Sequence, residues 1–147
     1  MKTLITSKKT RPFTAYRKKA ILQCLYEGMP NEAIAKRLHM SVGTVQGYIG
    51  RLNAEFLAKD SIALMTRTHP GGNYLLAKHP CLTPRENAII HMRMRGMPLI
   101  KICLIKGISL ATGQEHLKNI RRKTNSRNLR NVVAIILDKT MEEQNET

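Results

Sequence analysis

Apolar residues in this chain recur at helical spacing. Val45, Ile49, Leu52 and Phe56 fall at i, i+4, i+7 and i+11, and Leu129, Val132, Val133 and Ile136 fall at i, i+3, i+4 and i+7. Each set lines one side of a helix with 3.6 residues per turn. Polar and turn residues between such blocks mark where helices start and stop. Thr83-Pro84-Arg85-Glu86 is a helix start with a mechanism: Thr83 caps, Pro84 has its φ preset for the first turn, and Glu86 reaches back to the cap. That helix is predicted to run to Arg95 and stop at Gly96. A short helix follows Pro98 and ends at Gly107, Ser109 caps a third that reaches about Lys123, and the Leu129–Ile136 stripe carries a fourth. Upstream the same plan predicts helices over 14–27 and 31–38, a Ser41-capped helix to about Phe56, and a weaker fourth near 60–66.

The two plans are copies. Gly28-Met29-Pro30 recurs 68 residues on as Gly96-Met97-Pro98, and the same offset pairs Ile34 with Ile102, Ser41 with Ser109, Thr44 with Thr112 and Gln46 with Gln114. Apolar character recurs too, as Met40 with Ile108, Ile49 with Leu117 and Leu52 with Ile120. A chance tripeptide would not bring further matches at helical spacing. The expected fold class is all-α, with two tandem tetrahelical helix-turn-helix units. Their expected bounds are a basic N-terminal arm over 1–11, a first unit over 12–67, a linker over 68–80, a second unit over 81–140 and an acidic mobile tail over 141–147. The turn-rich joint Thr68-His69-Pro70-Gly71-Gly72-Asn73 is expected to be exposed.

Charge narrows the partner. The 147 residues carry 25 Lys/Arg against 10 Asp/Glu, a formal net charge of +15. Residues 1–75 hold 12 basic and 4 acidic groups, residues 76–147 hold 13 and 6, so both halves are basic. A net charge of about 8 suffices for solubility, and the excess points to a polyanion. No apolar run approaches the roughly 18 residues of a membrane span, and the first residues lack the apolar core of a secretory signal. Three scattered cysteines, Cys24, Cys81 and Cys103, suit free thiols in a reducing cytoplasm. Two Phe, four Tyr and no Trp argue against single-strand binding by base stacking. His69, His79, Cys81 and His91 fit no compact metal-ligand set, no phosphate loop or Ser/His/Asp signature is present, and no cofactor is implied. The chain is read as not an enzyme.

Leu82-Thr83-Pro84-Arg85-Glu86 with Gly96, followed by Ser109-Leu110-Ala111-Thr112, His116, Ile120 and Lys123, resembles the LuxR-type (GerE-like) helix-turn-helix. In the first copy Gly28, Asn31, Ile34-Ala35, Leu38, Met40-Ser41 and Thr44-Val45 resemble the middle of the same motif. Region 4 of sigma factors shares much of the pattern and stays open as an alternative. The resemblance implies a four-helix DNA-binding unit whose third helix lies in the major groove, in a regulator of bacteria or their mobile elements. It also implies a contrast: the dozen residues before the first copy are too few for a receiver or ligand domain. Two departures stand out. Lys106 replaces the apolar residue seen at Leu38, and Gly113 replaces Val45, so the second unit is expected to lean on the first or on a dimer partner.

Sorting the third helices at 100° per residue separates their faces. In the first copy the side opposite the core is Gly43, Gly47, Gly50 and Ala54, flanked by Thr44, Gln46 and Arg51. In the second it is Ala111, Glu115, Lys118 and Arg122, with Gln114 and Arg121 beside it. Gln, Lys, Arg and Glu are the side chains that read base edges. The expected division of labour gives the second unit most direct readout. The first supplies phosphate contacts through Lys36, Arg37, Thr44 and Arg51, plus Gln46, and approaches DNA closely at its glycines. Ser41 and Ser109 start the two helices, and Thr112 stands where Thr44 does. Two other readings of the glycines remain: tolerated accidents, or a seat for another protein's helix. Lys8, Lys9, Arg11, Arg17, Lys18 and Lys19, and Arg121, Arg122, Lys123 and Arg127, form basic clusters suited to phosphate. The last-helix stripe is either core or a homodimer face. The expected partner is double-stranded DNA, for a cytoplasmic, nucleoid-associated transcription regulator. General DNA coating, RNA binding, or an adaptor docked on RNA polymerase are the alternatives.

Overall fold

Short polar side chains start six of the helices in the computed structural model, which describes residues 14–146. Helix α1 (Ala15–Tyr26) begins where Thr14 accepts the Arg17 amide, and α3 (Val42–Glu55) where Ser41 accepts the Thr44 amide. Helix α4 (Ser61–Thr68) has Asp60 as its cap. Helix α5 (Pro84–Met94) carries the full capping box of Thr83 and Glu86 expected from sequence. Ser109 caps α7 (Leu110–Lys123), and Asn128 caps α8 (Leu129–Asn145). Each cap satisfies an amide that has no partner within its own helix. The two short helices, α2 (Asn31–Leu38) and α6 (Leu99–Lys106), start instead behind Pro30 and Pro98, with no side-chain cap. Among the described residues there is no strand. The basic arm expected over 1–11 lies outside the described residues.

Turns repeat at the same offset as the sequence. His39 and Gly107, which end α2 and α6, both adopt left-handed φ, 55° and 68°. Leu57 and Asn125 do so after α3 and α7, at 55° and 54°. Gly28 and Gly96 adopt φ 78° and 103°; Gly28 needs the space as well, because a Cβ there would collide with Asn131, whereas one on Gly96 would make only ordinary contact with the Ala63 methyl, at 3.6 Å.

The halves share one core. Ile21, Leu25, Ile34, Val45, Leu52, Leu64 and Met65 belong to the same buried cluster as Ile89, Ile90, Met94, Ile102, Ile120, Val132, Val133, Ile136 and Leu137. Helices α4 and α8 pack on each other, α1 packs on α8, and α5 packs on α4. The α8 stripe, open in sequence between core and dimer face, is core: Val132, Val133 and Ile136 are fully buried. Fully burying side chains of this size contributes about 1.5–3 kcal/mol each. Arg130 reaches across the junction to the Ser61 hydroxyl (3.2 Å) and the Met29 carbonyl (2.8 Å), and the Asn131 amide donates to the Gly28 carbonyl at 3.0 Å.

Three local expectations change. The joint after α4 is not an exposed loop. Thr68 ends α4, Pro70–Asn73 form a 3-10 turn, and Gly71 is buried. A Cβ on Gly71 would stand 2.7 Å from the Leu137 carbonyl, and one on Gly72 would collide with the Thr66 backbone. The glycines therefore serve close packing as much as turning. Beyond them Leu76 and Ala77 are buried, and the Ala77 amide donates to the Thr140 hydroxyl at 2.9 Å. The acidic segment expected to be mobile continues α8 as far as Asn145. Gly113 is no packing defect: a Cβ there would collide with the Cys103 sulfur and crowd Leu99 at 3.3 Å. The equivalent positions in the first half are Ala35 and Val45, so bulk absent from one helix is supplied by the other.

An ion pair ties the first helix of each half to the third, with its charges exchanged. Lys18 Nζ lies 2.7 Å from Glu55 Oε1, and 68 residues on Glu86 Oε1 lies 2.8 Å from Lys123 Nζ. Burial by itself raises the Glu86 pKa. Hydrogen bonds from the Lys123 ammonium and the Thr83 amide outweigh it, and the carboxyl sits below its ordinary value. A carboxyl depressed in the folded state stabilises the fold above its unfolded pKa, about 4.3, and that contribution is lost as pH falls through the folded value. Glu86→Gln is therefore expected to lower stability at neutral pH and to flatten the loss on acidification. Urea unfolding of both proteins between about pH 6 and pH 2.5 measures this, and parallel curves would remove the pair from the acid response.

Candidate nucleic-acid interface

The α2–α3 corner presents the first candidate surface. Ser41 Oγ accepts the Thr44 amide at 3.1 Å and lies 2.9 Å from Thr44 Oγ1, which fixes the first turn of α3. Val45, Tyr48, Ile49 and Leu52 are buried. Tyr48 is one core residue that face sorting overlooked; it sits 60° from Val45, at the edge of the apolar stripe. Gly43, Gln46, Gly47, Gly50, Arg51 and Ala54 are exposed, and Thr44 is half-buried. Between α2 and α3 lies an open cleft of about 1080 Å³, with Lys36, His39, Thr44, Gly47 and Arg51 on its walls. Lys36 is thus placed beside the third helix. Arg37 is not: its Nη1 is held 2.7 Å from Glu27 Oε1, toward the end of α1.

The glycines on α3 answer no demand of the fold. A Cβ on Gly47 or Gly50 meets nothing within 4 Å, and one on Gly43 meets only its own cap, Ser41 Oγ, at 3.9 Å. Each glycine in a helix costs about 1 kcal/mol relative to alanine. Gly47→Ala with Gly50→Ala is expected to stabilise the protein by up to about 2 kcal/mol while weakening DNA binding, as a close-approach role requires. Thermal melts and a binding titration on the same double variant check both halves. Gain of stability with unchanged binding would make the glycines accidents.

Helix α7 presents the same surface with side chains on it. Ser109 Oγ accepts the Thr112 amide at 3.1 Å. Gly113 and Ile120 are buried, whereas Ala111, Thr112, Gln114, Glu115, Lys118 and Arg122 are exposed, and Arg121 is half-buried. Arg122 Nη2 lies 3.4 Å from Asn119 Oδ1, a weak tether along the helix. Arg121 and Arg122 stand in the last turn, where the helix dipole favours cations. Lys123 turns inward to Glu86 and leaves the basic cluster read from sequence. Lys18, opposite Glu55, is likewise occupied. Lys8, Lys9 and Arg11 lie outside the described residues.

Sequence reasoning also passed over α6. Ile100, Leu104 and Ile105 are 61%, 77% and 57% exposed, with Leu110 half-exposed beside them. The equivalent positions in the first half are Glu32, Lys36, Arg37 and Val42. Where α2 carries charge, α6 carries bare aliphatic surface. The signal was legible: apolar residues sit on most sides of Leu99–Lys106, where only Lys101 and Lys106 are polar, too few to form a polar face.

With this geometry in place, one comparison with known proteins decides the type of domain. Residues 14–66 match the family model for bacterial regulatory proteins of the luxR family, GerE. Residues 14–66, about a third of the chain, are similar to a LuxR-type helix-turn-helix domain. The match opens at the cap of α1 and closes within α4, so the LuxR-type domain comprises α1 to α4 with α3 as its third helix. No curated protein and no solved structure matches the chain. The domain type carries DNA binding and transcription regulation. Among the described residues no helix is long and apolar enough to cross a membrane.

Proposed function

We propose that the protein is a sequence-specific, double-stranded DNA-binding transcription regulator, without catalytic activity, in which both α3 and α7 enter the major groove. The LuxR-type domain supports the first half of this reading. The second half rests on one observation: α7 repeats the Ser-capped start of α3 at the same offset and exposes Gln114, Glu115, Lys118 and Arg122 along its outer side. Those groups can pair with base edges, and the basic charge of both halves supplies the phosphate attraction. Helix α3 contributes Gln46 and a close backbone approach, with Lys36, Thr44 and Arg51 toward phosphate. Affinity for a selected duplex against a scrambled one, at fixed salt, tests the proposal. A ratio above about 10³ supports it, and a ratio near one favours general DNA coating instead. The exposed aliphatic side chains of α6 favour a second reading, an adaptor that docks on RNA polymerase. Binding of the purified protein to polymerase without DNA, abolished by Leu104→Lys, would establish that role.

A further inference from the structure

The contacts between the two halves come in exchanged pairs. Gly28 backs onto Asn131, and Gly96, 68 residues after Gly28, backs onto Ala63, 68 residues before Asn131. Helix α1 packs on α8, and its counterpart α5 packs on α4, the counterpart of α8. The fourth helices, α4 and α8, pack on each other. If residue i of one half meets residue j of the other, the counterpart of j meets the counterpart of i. That exchange is the mark of a two-fold axis, here running through the α4–α8 contact. Repeats stacked by simple translation would place α4 on α5 with no return contact from α8 to α1.

We infer that the chain is a single-chain pseudo-dimer that holds α3 and α7 on the two halves of one duplex site, in opposed orientation. The inference rests on the DNA-binding reading above and adds the arrangement of the site. An approximate dyad relates α3 to α7 by a half-turn. Two recognition helices so related lie on one duplex only if their axis coincides with a local dyad of the DNA, and the half-sites then run in opposite senses. Joining both units in one chain removes the constraint that the halves be identical. The outer strips have diverged accordingly: Gly43, Gly47, Gly50 and Ala54 on α3 correspond to Ala111, Glu115, Lys118 and Arg122 on α7. Ser41, Thr44 and Gln46 remain matched by Ser109, Thr112 and Gln114. The natural site is therefore a pair of unlike halves whose opposed sense is hidden by their different sequences.

A symmetrised protein reveals it. Four substitutions, Gly43→Ala, Gly47→Glu, Gly50→Lys and Ala54→Arg, give α3 the outer strip of α7. All four positions are exposed, and the glycines have room for side chains. The wild-type chain and the four-fold variant are each put through selection from random duplexes and sequencing. The wild type is expected to select two unlike blocks, centred about one helical turn or a multiple apart, with one chain per duplex by sedimentation. The variant is expected to select a true inverted repeat of one of those blocks and to prefer it at least tenfold over the same blocks in direct orientation. A direct repeat, a single block, a variant that selects nothing, two chains per duplex, or one chain joining two duplexes overturns the pseudo-dimer. If the wild type enriches no sequence, the sequence-specific reading beneath it fails instead, and the two failures are told apart by that first selection.

Discussion

Ile136→Ala is expected to cost the whole chain about 2–5 kcal/mol, the range for truncating a large buried aliphatic side chain. The size follows from the place. Ile136 is fully buried on α8 and belongs to the cluster that runs through both halves. Helix α8 packs against α4 and α1 of the first half as well as α7 of the second, so surrounding helices are already committed and cannot collapse into the void. The loss should therefore be felt in residues far from the substitution. Urea unfolding followed by far-UV dichroism, with amide hydrogen exchange in α3 and α7, gives the check. One transition at lower urea, with both helices losing protection together, is the expected result. Exchange that accelerates in α7 while α3 keeps its protection would mean that the shared core does not couple the halves.

Lys118→Ala combined with Arg122→Ala is expected to weaken binding to the selected duplex by roughly 10²–10⁴-fold, taking about 1–3 kcal/mol for each good base contact. Both side chains are exposed on the outer strip of α7, so the fold has little stake in them and the loss is one of recognition. Scrambled duplex should be affected far less. Gln46→Ala, on the smooth α3, should cost less and change selectivity less. Anisotropy titrations of the three proteins on selected and scrambled duplex, at fixed salt, rank these effects. If instead affinity falls equally for both duplexes and the slope of log affinity against log salt shallows by about 1.8, the two groups contact phosphates. The division of labour reverses if Gln46→Ala is the more damaging change.

The candidate surface was legible as far as it depends on one helix at a time. Turning α3 and α7 at 100° per residue put Gly43, Gly47, Gly50, Lys118 and Arg122 outside and Val45 inside, as found. It was silent on groups whose partner is remote in sequence. Nothing near Arg37 announces Glu27, ten residues upstream across a turn. Nothing near Lys123 announces Glu86, 37 residues away. A basic residue is read as available until a fold supplies its acid, and these two had acids waiting.

By itself the sequence determined where helices begin and end, because caps and left-handed turns are contacts over three or four residues: Ser41 with Thr44, Thr83 with Glu86, Asn128 with Asn131. It also carries a repeat at an offset of 68 residues, with Gly28-Met29-Pro30 returning as Gly96-Met97-Pro98. Tertiary structure alone decided that the two halves of the chain share one core, that the Gly71–Gly72 joint is packed, and that the α8 stripe is interior. Those outcomes rest on contacts such as Asn131 with Gly28, 103 residues apart. Periodicity tells a helix which side to bury, and only the folded chain tells it against what.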